Sequence, residues 1–430
     1  MAWLGTLWWC LLETCSGLCD KLRFGACNPL QVAEDNRLMT PSPLQRPVSD
    51  DLLMEIFSRM PAESVHKCKQ AYDDWNTLFS TPYFNHNLFL PRASPTIIVH
   101  HWTLIENQLL YIDDDHRGGL KCTHISQKKP LKSSSYWPKI NYYSPIRFSC
   151  YGLLFLDIKH DFFGSDSIVV NPITQRWVPL PGVPAVRGDI CGAYFHPTAR
   201  EFRVLWVSLL KTSNNKYYEF KLLRPKSGNN PQIYWHALAK LHSRPMIDEP
   251  PVNLHDCLHW MCARWFPLIM VFSIIKEEFT LMPTFLSVQD DGYLQQISRN
   301  IFKRVHLLDL DGYLSLWELT DVLNIWTKED YYVSSSWTKR YSIDVKLLHK
   351  TVNIDEVRVV GCQNGALVIH WKRKGIFVYH LQHKSIRKFF LDNLKGSQGR
   401  SSTTPFLHTK SLISLTEFTR DAFKDHPFIM

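Results

Sequence analysis

Four residues with metal-binding side chains lie close together in one short stretch of the chain: His255, Cys257, His259 and Cys262. Imidazole nitrogens and thiolates are zinc ligands, and the first three residues alternate, so they would share one face of a strand. The stretch lacks the paired-cysteine spacing of a structural zinc site, and the apolar residues between the four fit a core strand. We therefore expect strand side chains here rather than a metal centre.

A second stretch partly matches a calcium-binding loop. Asp309, Asp311, Gly312 and Glu318 fall at loop positions 3, 5, 6 and 12. Position 1 is Leu307, which has no side-chain oxygen, and the flanking residues are apolar. Asp-Gly between two apolar runs is a strong hairpin signal, so a hairpin is expected instead.

Other chemistry-bearing patterns are weaker. The acidic run Asp113, Asp114 and Asp115 precedes two glycines, which favours a solvated turn over an acid-base site. The sequence has no phosphate-cradling glycine loop, no G-x-S-x-G elbow and no H-E-x-x-H motif. Tryptophans that could line a pocket are expected mostly to pack in a core: Trp177, Trp260, Trp317, Trp337 and Trp371. We predict no catalytic residue, cofactor or metal.

The composition is that of a globular protein. The chain has 430 residues, 45% hydrophobic and 21% charged, which is enough for two or three domains. Its 15 Trp, 17 Tyr and 24 Phe favour β structure. The net charge of +9 comes without a nucleic-acid-binding motif, so we expect no nucleic-acid partner. The 11 cysteines show no regular spacing, which favours a reducing compartment over a disulfide framework.

One pattern recurs along the chain, with an apolar residue followed eight positions later by a bulky one: Val169 and Trp177, Val271 and Phe279, Val378 and Ile386. Each copy predicts two strands around a polar turn. The copies begin 102 and 107 residues apart, about twice the length of a four-stranded propeller blade. Weaker half-period copies are expected at 193–207 and 323–339. From about residue 95 there is room for roughly six blades. The rim loops of such blades would bind partners, and we expect contact with a target protein at the loops 211–217 and 225–233.

The N-terminal part of the chain contains a stretch that predicts a compact helical module. Asp50 and Asp51 supply the negative charge that favours a helix start. The apolar residues that follow recur at the spacing of one helix face: Leu52, Leu53, Ile56, Phe57 and Met60. Pro61 is expected to end this helix, and Ser64 to cap a second helix whose apolar side reaches Trp75. Because so small a module buries little surface, we expect it to bind another protein.

This stretch resembles a plant-type F-box, whose pattern DDLLxEIxSRLPxxS followed by Trp is matched at most positions. The resemblance implies docking onto the Skp-type adaptor subunit of a cullin-based ubiquitin ligase. The residues that would hold the adaptor are Leu52, Leu53, Ile56, Phe57, Met60, Pro61 and Trp75.

Two departures from the F-box pattern bear on adaptor binding. Val48 and Ser49 replace the usual Leu-Pro pair, and Asp73 and Asp74 replace Lys-Ser on the second helix. Two acidic groups facing an acidic adaptor would weaken binding, by about 1 kcal/mol or more.

The remainder of the chain resembles the F-box-associated domain of plant proteins. Phrases such as NPITQRWVPLP and LNIWTKEDYYVSSSWTKRYSID follow one another in the order found in that domain, and the whole resemblance covers residues 46 to about 415. Departures are Tyr151 for Asn, His196 for Asp and Ser273 for Asp, each at a turn. The resemblance implies a domain that presents a target protein.

We therefore expect an α+β multidomain chain. A variable leader and linker would occupy 1–45, a small helical F-box 46–91, and a mainly antiparallel β-propeller of roughly six blades, the F-box-associated domain, 95–425. The expected function is substrate recognition in a Skp-cullin-F-box ubiquitin ligase, in the cytoplasm or nucleus. The partners would be the adaptor, through it cullin, and an unidentified target protein.

Two other functions stay open. One is a propeller interaction scaffold whose F-box has decayed. The other is a propeller enzyme or lectin secreted by the apolar leader MAWLGTLWWCLLETCSGLC. That leader has no positive charge before its apolar part, is interrupted by Glu13 and is too short to span a bilayer, so we expect no stable membrane insertion.

Overall fold

The computed structural model describes residues 49–102, 107–114, 120–125, 146–160, 164–180, 188–211, 216–224, 234–247, 249–262, 268–288, 305–320, 322–345, 356–372, 374–389, 402–415 and 426–427. The expected leader over 1–45 lies outside these residues. The chain divides into two compact units, Met1–Met60 and Pro61–Met430. In the described part of the chain, no helix has both the length and the apolar character needed to cross a membrane.

The described residues of the first unit form one helix, α1 (Asp50–Phe57). Ser49 caps it, because its hydroxyl accepts a hydrogen bond from the N–H of Leu52 at 3.4 Å. The helix ends at Ser58, not at Pro61 as expected. The N–H of Ser58 bonds to carbonyl groups of the last turn, and its hydroxyl donates to the Glu55 carbonyl at 2.8 Å.

Helical elements open the second unit: α2 (Ala62–Ala71), α3 (Asp73–Phe79), a π-helical turn (Tyr83–Phe89) and a 3-10 turn (Leu90–Arg92). Two expectations were wrong. Pro61, not Ser64, occupies the cap position of α2, since a proline with fixed φ and no N–H suits a helix start. Tyr72 has extended backbone (φ −141°, ψ 122°) and breaks the helix, so Trp75 lies in α3.

The strands of the described residues form six antiparallel sheets arranged as a six-bladed β-propeller, which confirms the predicted fold of this part. Blade 1 has the sheet order β24 (Ser402–Thr409), β1 (Pro95–Trp102), β2 (Asn107–Asp114), β3 (Leu120–His124). Blade 2 has β4 (Ile146–Cys150), β5 (Leu153–His160), β6 (Gly164–Asn171), β7 (Arg176–Pro179), with β25 (His426–Pro427) at its outer edge. Blade 3 has β8 (Gly188–His196), β9 (Glu201–Lys211), β10 (Lys216–Arg224), β11 (Tyr234–Leu241).

The last three blades each contain four consecutive strands. Blade 4 has β12 (Val252–Leu254), β13 (Cys257–Met261), β14 (Leu268–Ser273), β15 (Glu278–Pro283). Blade 5 has β16 (Val305–Leu310), β17 (Tyr313–Leu319), β18 (Val322–Lys328), β19 (Trp337–Asp344). Blade 6 has β20 (Val357–Gln363), β21 (Ala366–Trp371), β22 (Gly375–His380), β23 (Ile386–Phe389).

The core lies between neighbouring blades. On β9, Val204 and Trp206 pack towards blade 2, whereas Leu205 and Val207 pack towards blade 4. Alternate strand residues point to opposite faces, so one strand supplies both interfaces. The five tryptophans expected in the core are all buried, and the Trp260 indole donates to the Cys191 carbonyl at 2.8 Å, which joins blade 4 to blade 3.

The predicted repeat corresponds to the outer hairpin of alternate blades. Equivalent cross-strand pairs form in blades 2, 4 and 6: Val170 with Trp177, Phe272 with Phe279, and Tyr379 with Ile386. The weaker copy at 323–339 is the outer hairpin of blade 5. The copy at 193–207 was misplaced, because it forms the inner hairpin of blade 3, and both hairpins share the pattern of apolar strand, polar turn and apolar strand.

Candidate functional site

Helix α1 carries two exposed apolar side chains on one side. Leu52 is 51% exposed and Ile56 is 43% exposed, and residues four apart in a helix are neighbours. Leu53 and Phe57 are instead buried. Of the predicted adaptor residues on α1, two are therefore available to a partner and two are packed inside.

The other predicted adaptor residues lie beyond α1. Met60 is half-buried in the turn that follows the helix, and Pro61 is exposed at the start of α2. Trp75 is half-buried in α3, with its ring 4.8 Å from that of Tyr72 and 6.3 Å from that of Phe79. The indole of Trp75 thus belongs to an aromatic cluster and keeps part of its surface exposed.

The two unusual acidic residues have a structural role. Asp73 and Asp74 are exposed in the first turn of α3. Negative charge is favourable at a helix N-terminus, where the backbone N–H groups lack partners. These residues stabilise the start of α3 in a place where the helix has no side-chain cap.

The helical segment of the second unit packs against the propeller at two places. The Lys410 ammonium group lies 2.9 Å from Glu63 of α2 and 2.9 Å from Asp113 of blade 1. The ring of His86, in the π-helical turn, stacks on Phe195 of blade 3 with centroids 3.8 Å apart. Helices and propeller are therefore joined by an ion pair and by an aromatic stack.

Both of these contacts lie on one rim of the propeller, which we call the turn rim. It carries two-residue turns with positive φ at both positions: Tyr151–Gly152, His255–Asp256, Asp311–Gly312 and Asn364–Gly365. Such turns match the twist of a hairpin and favour glycine at the second position. The turn rim lies at the ends of the inner strands, because each of these turns joins an inner strand to the next strand.

The inner strands enclose a central channel with a cavity volume of about 600 Å³. All six inner strands contribute to its wall, and His86, Leu90 and Pro91 of the helical segment border it. Asp309 lines the channel near the turn rim, and Glu249 lines it near the opposite end. A channel of this size admits a side chain or short peptide segment, so it is a candidate binding site.

Glu249 braces three blades inside this channel. Its carboxylate lies 2.7 Å from Nδ1 of His306 and 3.7 Å from Nε of Arg358. Burial by itself would raise the pKa of Glu249, but contact with His306 and Arg358 holds that pKa below its ordinary value. The carboxylate is therefore charged at neutral pH. It links the segment before β12 to a residue of β16 and a residue of β20.

The suspected zinc ligands do not share one strand face. His255 lies in a turn with φ 52°, ahead of strand β13. His259 is fully buried, and its ring nitrogens contact the Val252 carbonyl at 3.0 Å and the Tyr331 hydroxyl at 2.7 Å. Burial lowers the pKa of His259 to about 4. Both nitrogens thus have protein partners, and in the described residues no group of three or more candidate side chains could hold a metal ion.

The other acidic patterns have structural explanations. The suspected calcium loop is a hairpin of β16 and β17, in which the Asp309 carboxylate accepts from the Gly312 N–H at 2.8 Å. Asp113 was expected in a solvated turn. It lies instead at the end of β2, where its carboxylate accepts from Thr96 at 2.5 Å and pairs with Lys410. Asp115 lies outside the described residues.

The two loops guessed as target contacts fall at opposite ends of one strand. The stretch 211–217 joins β9 to β10, and the stretch 225–233 joins β10 to β11. The two loops therefore cannot form a single surface on one rim. Most of both loops lies outside the described residues. Target contact at these loops stays a prediction.

The residues that meet only when the propeller ring closes were not predicted from the sequence. Glu249, His306 and Arg358 are far apart in sequence and meet only in the closed channel. Tyr332, which is 88% exposed, was not singled out either. Its signal was the polar stretch between two apolar runs, which marks a rim loop.

The chain is similar to several F-box proteins of Arabidopsis thaliana. F-box protein At3g07870 is 24% identical over 374 residues, covering 77% of this chain and 84% of that protein. F-box protein At1g30790 is 21% identical over 376 residues, covering 80% and 89%. F-box protein At2g23160 is 25% identical over 221 residues, covering 50% of this chain and 69% of that protein.

Other comparisons add little. No family model matches the chain, so the F-box-associated domain stays a prediction. A solved structure of HIRA(644-1017) aligns with 10% identity and a TM-score of 0.22 over 48% of this chain and 56% of that chain. The acylaminoacyl peptidase of Pyrococcus horikoshii aligns with 9% identity and a TM-score of 0.30 over 72% and 47%. Scores this low carry no inference. At low identity, but over most of its length, the chain is similar to plant F-box proteins.

Proposed function

We propose that this chain is the substrate-recognition subunit of a Skp-cullin-F-box ubiquitin ligase. The observation that most supports this is the order of its parts. A helix with exposed Leu52 and Ile56 precedes a six-bladed propeller, in a chain similar to plant F-box proteins. In this role the helical part binds a Skp-type adaptor and through it cullin, and the propeller binds a target protein in the cytoplasm or nucleus.

The chain itself performs no chemistry in this proposal. Its contribution is proximity, since holding a target beside the ubiquitin-conjugating enzyme raises the effective concentration of target lysines near the thioester. A propeller suits this task because its rims provide binding loops on a rigid scaffold. No catalytic residue, cofactor or metal is needed.

The exposed side chains are the ones that we propose to contact the adaptor directly. Leu52 and Ile56 are available on α1, and Pro61 and Trp75 offer surface in the second unit. The buried Leu53 and Phe57 would support the contact by maintaining the conformation of α1. Met60 is half-buried, so it would both pack inside and contact the adaptor.

Variants of the exposed face test this function. The double variant Leu52→Ala/Ile56→Ala should bind a purified plant Skp adaptor at least about tenfold more weakly, because buried apolar anchors dominate interfaces. The matched control is Leu281→Ala, which removes a leucine that is 55% exposed on β15. Adaptor binding that survives in a double variant with unchanged circular dichroism would overturn the assignment of this face.

A decayed F-box is the second candidate, and the exposed carboxylates of Asp73 and Asp74 favour it. In that case the natural chain does not bind the adaptor, and the double variant Asp73→Lys/Asp74→Ser does bind it. Reverting Ser49 to proline would confuse this test, since Ser49 caps α1. If the natural chain already binds the adaptor, the scaffold alternative fails.

A further inference from the structure

The loop between β18 and β19 presents an exposed aromatic side chain on the turn rim. Tyr332 is 88% exposed and its neighbour Val333 is 46% exposed. Tyr313, beside the turn of the same blade, is 40% exposed. Large apolar surface at one place on a rim is a feature of interaction sites.

This loop is held in shape from below. Lys328 is buried at its base, and the ammonium group donates to the Val333 carbonyl at 2.5 Å. The Asp330 carboxylate accepts from the N–H of Tyr332 at 2.9 Å, and the Ser336 hydroxyl donates to the Val333 carbonyl at 2.8 Å. A loop already ordered in this way loses little conformational entropy when a partner binds.

The loop also leans on the neighbouring blade. The ring of Tyr331 lies 4.6 Å from that of His255 in the turn of blade 4 and 5.3 Å from that of Tyr332. Its hydroxyl contacts the buried His259 at 2.7 Å. The exposed rings of blade 5 and the turn of blade 4 therefore form one surface, which we call the tyrosine ridge (His255, Asp256, Tyr331, Tyr332 and Val333).

The surroundings of the tyrosine ridge are acidic, although the whole chain has a net charge of +9. Exposed carboxylates lie in the turns of blades 4 and 5, at the end of β16 and at the start of the β18–β19 loop: Asp256, Asp311, Asp309, Glu329 and Asp330. Among the residues described by the structure, none of these five forms an ion pair with a basic side chain. The nearby cations are otherwise engaged, because Lys328 is inside the loop, Lys339 lies 4.9 Å from the ring centre of Trp326, and Arg340 lies 5.2 Å from that of Tyr313.

We propose that the tyrosine ridge binds a lysine- or arginine-containing segment of the target protein. An exposed tyrosine ring attracts a cation through its face, and unpaired carboxylates around it add charge complementarity. Arg340 over Tyr313 shows the same contact within the chain. Asp309 lines the channel mouth beside the ridge, so a basic side chain of the segment reaches the channel there. This inference rests on the proposed role as a substrate receptor.

Selection from a phage-displayed library of random 12-residue peptides on the full chain tests the ridge. We expect the enriched peptides to carry a net positive charge and to be lost when the bait is Tyr332→Ala. In fluorescence anisotropy, the most enriched peptide should bind Tyr332→Ala about tenfold more weakly than the natural chain and should bind both more weakly at higher salt. Enrichment of acidic or neutral peptides, or no enrichment at all, would overturn the proposal.

Matched variants separate this outcome from general damage. Tyr83→Ala removes another tyrosine, 56% exposed in the helical segment, and should leave peptide affinity unchanged. Asp256→Asn/Asp311→Asn should weaken binding, whereas Asp344→Asn, at the far end of β19, should not. Adaptor binding measured on the same variants keeps the two proposals apart. A natural chain that binds basic peptides but not the adaptor would contradict the ligase role alone. A natural chain that binds the adaptor but no basic peptide, or ridge variants that keep full peptide affinity, would contradict the ridge alone.

Discussion

Lys410, which directly follows the strand that closes the propeller, forms an ion pair with Glu63 of helix α2 at a distance of 2.9 Å. The same ammonium group pairs with Asp113 of blade 1 and lies 4.5 Å from the ring centre of Tyr111. Burial alone would lower the pKa of Lys410, but Glu63 and Asp113 together hold it above its ordinary value. One side chain thus joins the closed ring to the helical segment.

Lys410→Met should destabilise the second unit by about 1–2 kcal/mol. The change leaves two carboxylates without their cation in a half-buried site, between the cases of exposed and buried pairs. Urea unfolding followed by tryptophan fluorescence measures the loss, with Lys276→Met, an exposed lysine, as the control. A variant as stable as the control would show that the pair contributes nothing to joining helix and ring.

Asn171→Ala should cost about 2–3 kcal/mol of unfolding free energy. The buried Asn171 amide donates to the carbonyls of Ser411 and Ile413 at 3.3 and 2.9 Å, and its oxygen accepts from the Ile173 N–H at 2.9 Å. Removing it leaves buried backbone groups without partners and frees the segment after β24 from blade 2. Chemical denaturation checks this, with the exposed Asn253→Ala as control. Equal stability of the two variants would contradict the clamp.

Acid should destabilise the chain through its buried histidines. Burial lowers the pKa of His259 to about 4, of His370 to about 4 and of His408 to about 3. In the unfolded chain the same side chains bind protons near pH 6.5, their ordinary pKa. The unfolded state therefore binds more protons between about pH 6.5 and pH 4, and the free energy of unfolding falls as the pH falls through that window.

His259→Gln should make this decline shallower, by on the order of 2 kcal/mol across the window. Unfolding free energies at pH 7.5, 6.5, 5.5 and 4.5 check it, with His383→Gln, at an exposed position, as the control variant. An unchanged slope for His259→Gln would mean that this imidazole takes up its proton as readily in the native state as in the unfolded chain.

The turn of blade 4 should lower the stability of the chain while it contributes to the binding of basic peptides. His255 and Asp256 both have positive φ, whereas the equivalent turns of blades 2, 5 and 6 have glycine at the second position. Asp256→Gly should stabilise the chain by about 0.5 kcal/mol and weaken binding of basic peptides. Asp256→Asn should weaken the same binding with little change in stability, because asparagine tolerates this backbone. Stronger peptide binding by either variant would count against the tyrosine ridge.

Local patterns predicted much of the fold. The blade repeat is visible in the sequence because Trp177, Phe279 and Ile386 occupy equivalent positions in outer hairpins. Alternation of side chains with period 2 is a property of each single strand, so neighbouring residues are enough to show it. The position of Ser64 was misjudged because proline and serine both suit a helix start, and Pro61 takes that place.

The rest depends on contacts between distant residues. β24 pairs with β1, as in the pair Phe406 and Ile98, and nothing near either strand in sequence signals this closure. The channel residue Glu249 meets Arg358 only after the ring has closed. The burial of Leu53 and Phe57 beside the exposed Leu52 and Ile56 is also invisible to a pattern that marks all four as apolar.

The most direct test of the central claim is reconstitution of the full chain with a plant Skp adaptor and the N-terminal part of cullin on a sizing column with light scattering. The account predicts one chain per adaptor in a complex with cullin, and loss of the chain from that complex for Leu52→Ala/Ile56→Ala. A folded chain that elutes alone beside an intact adaptor–cullin complex would contradict it.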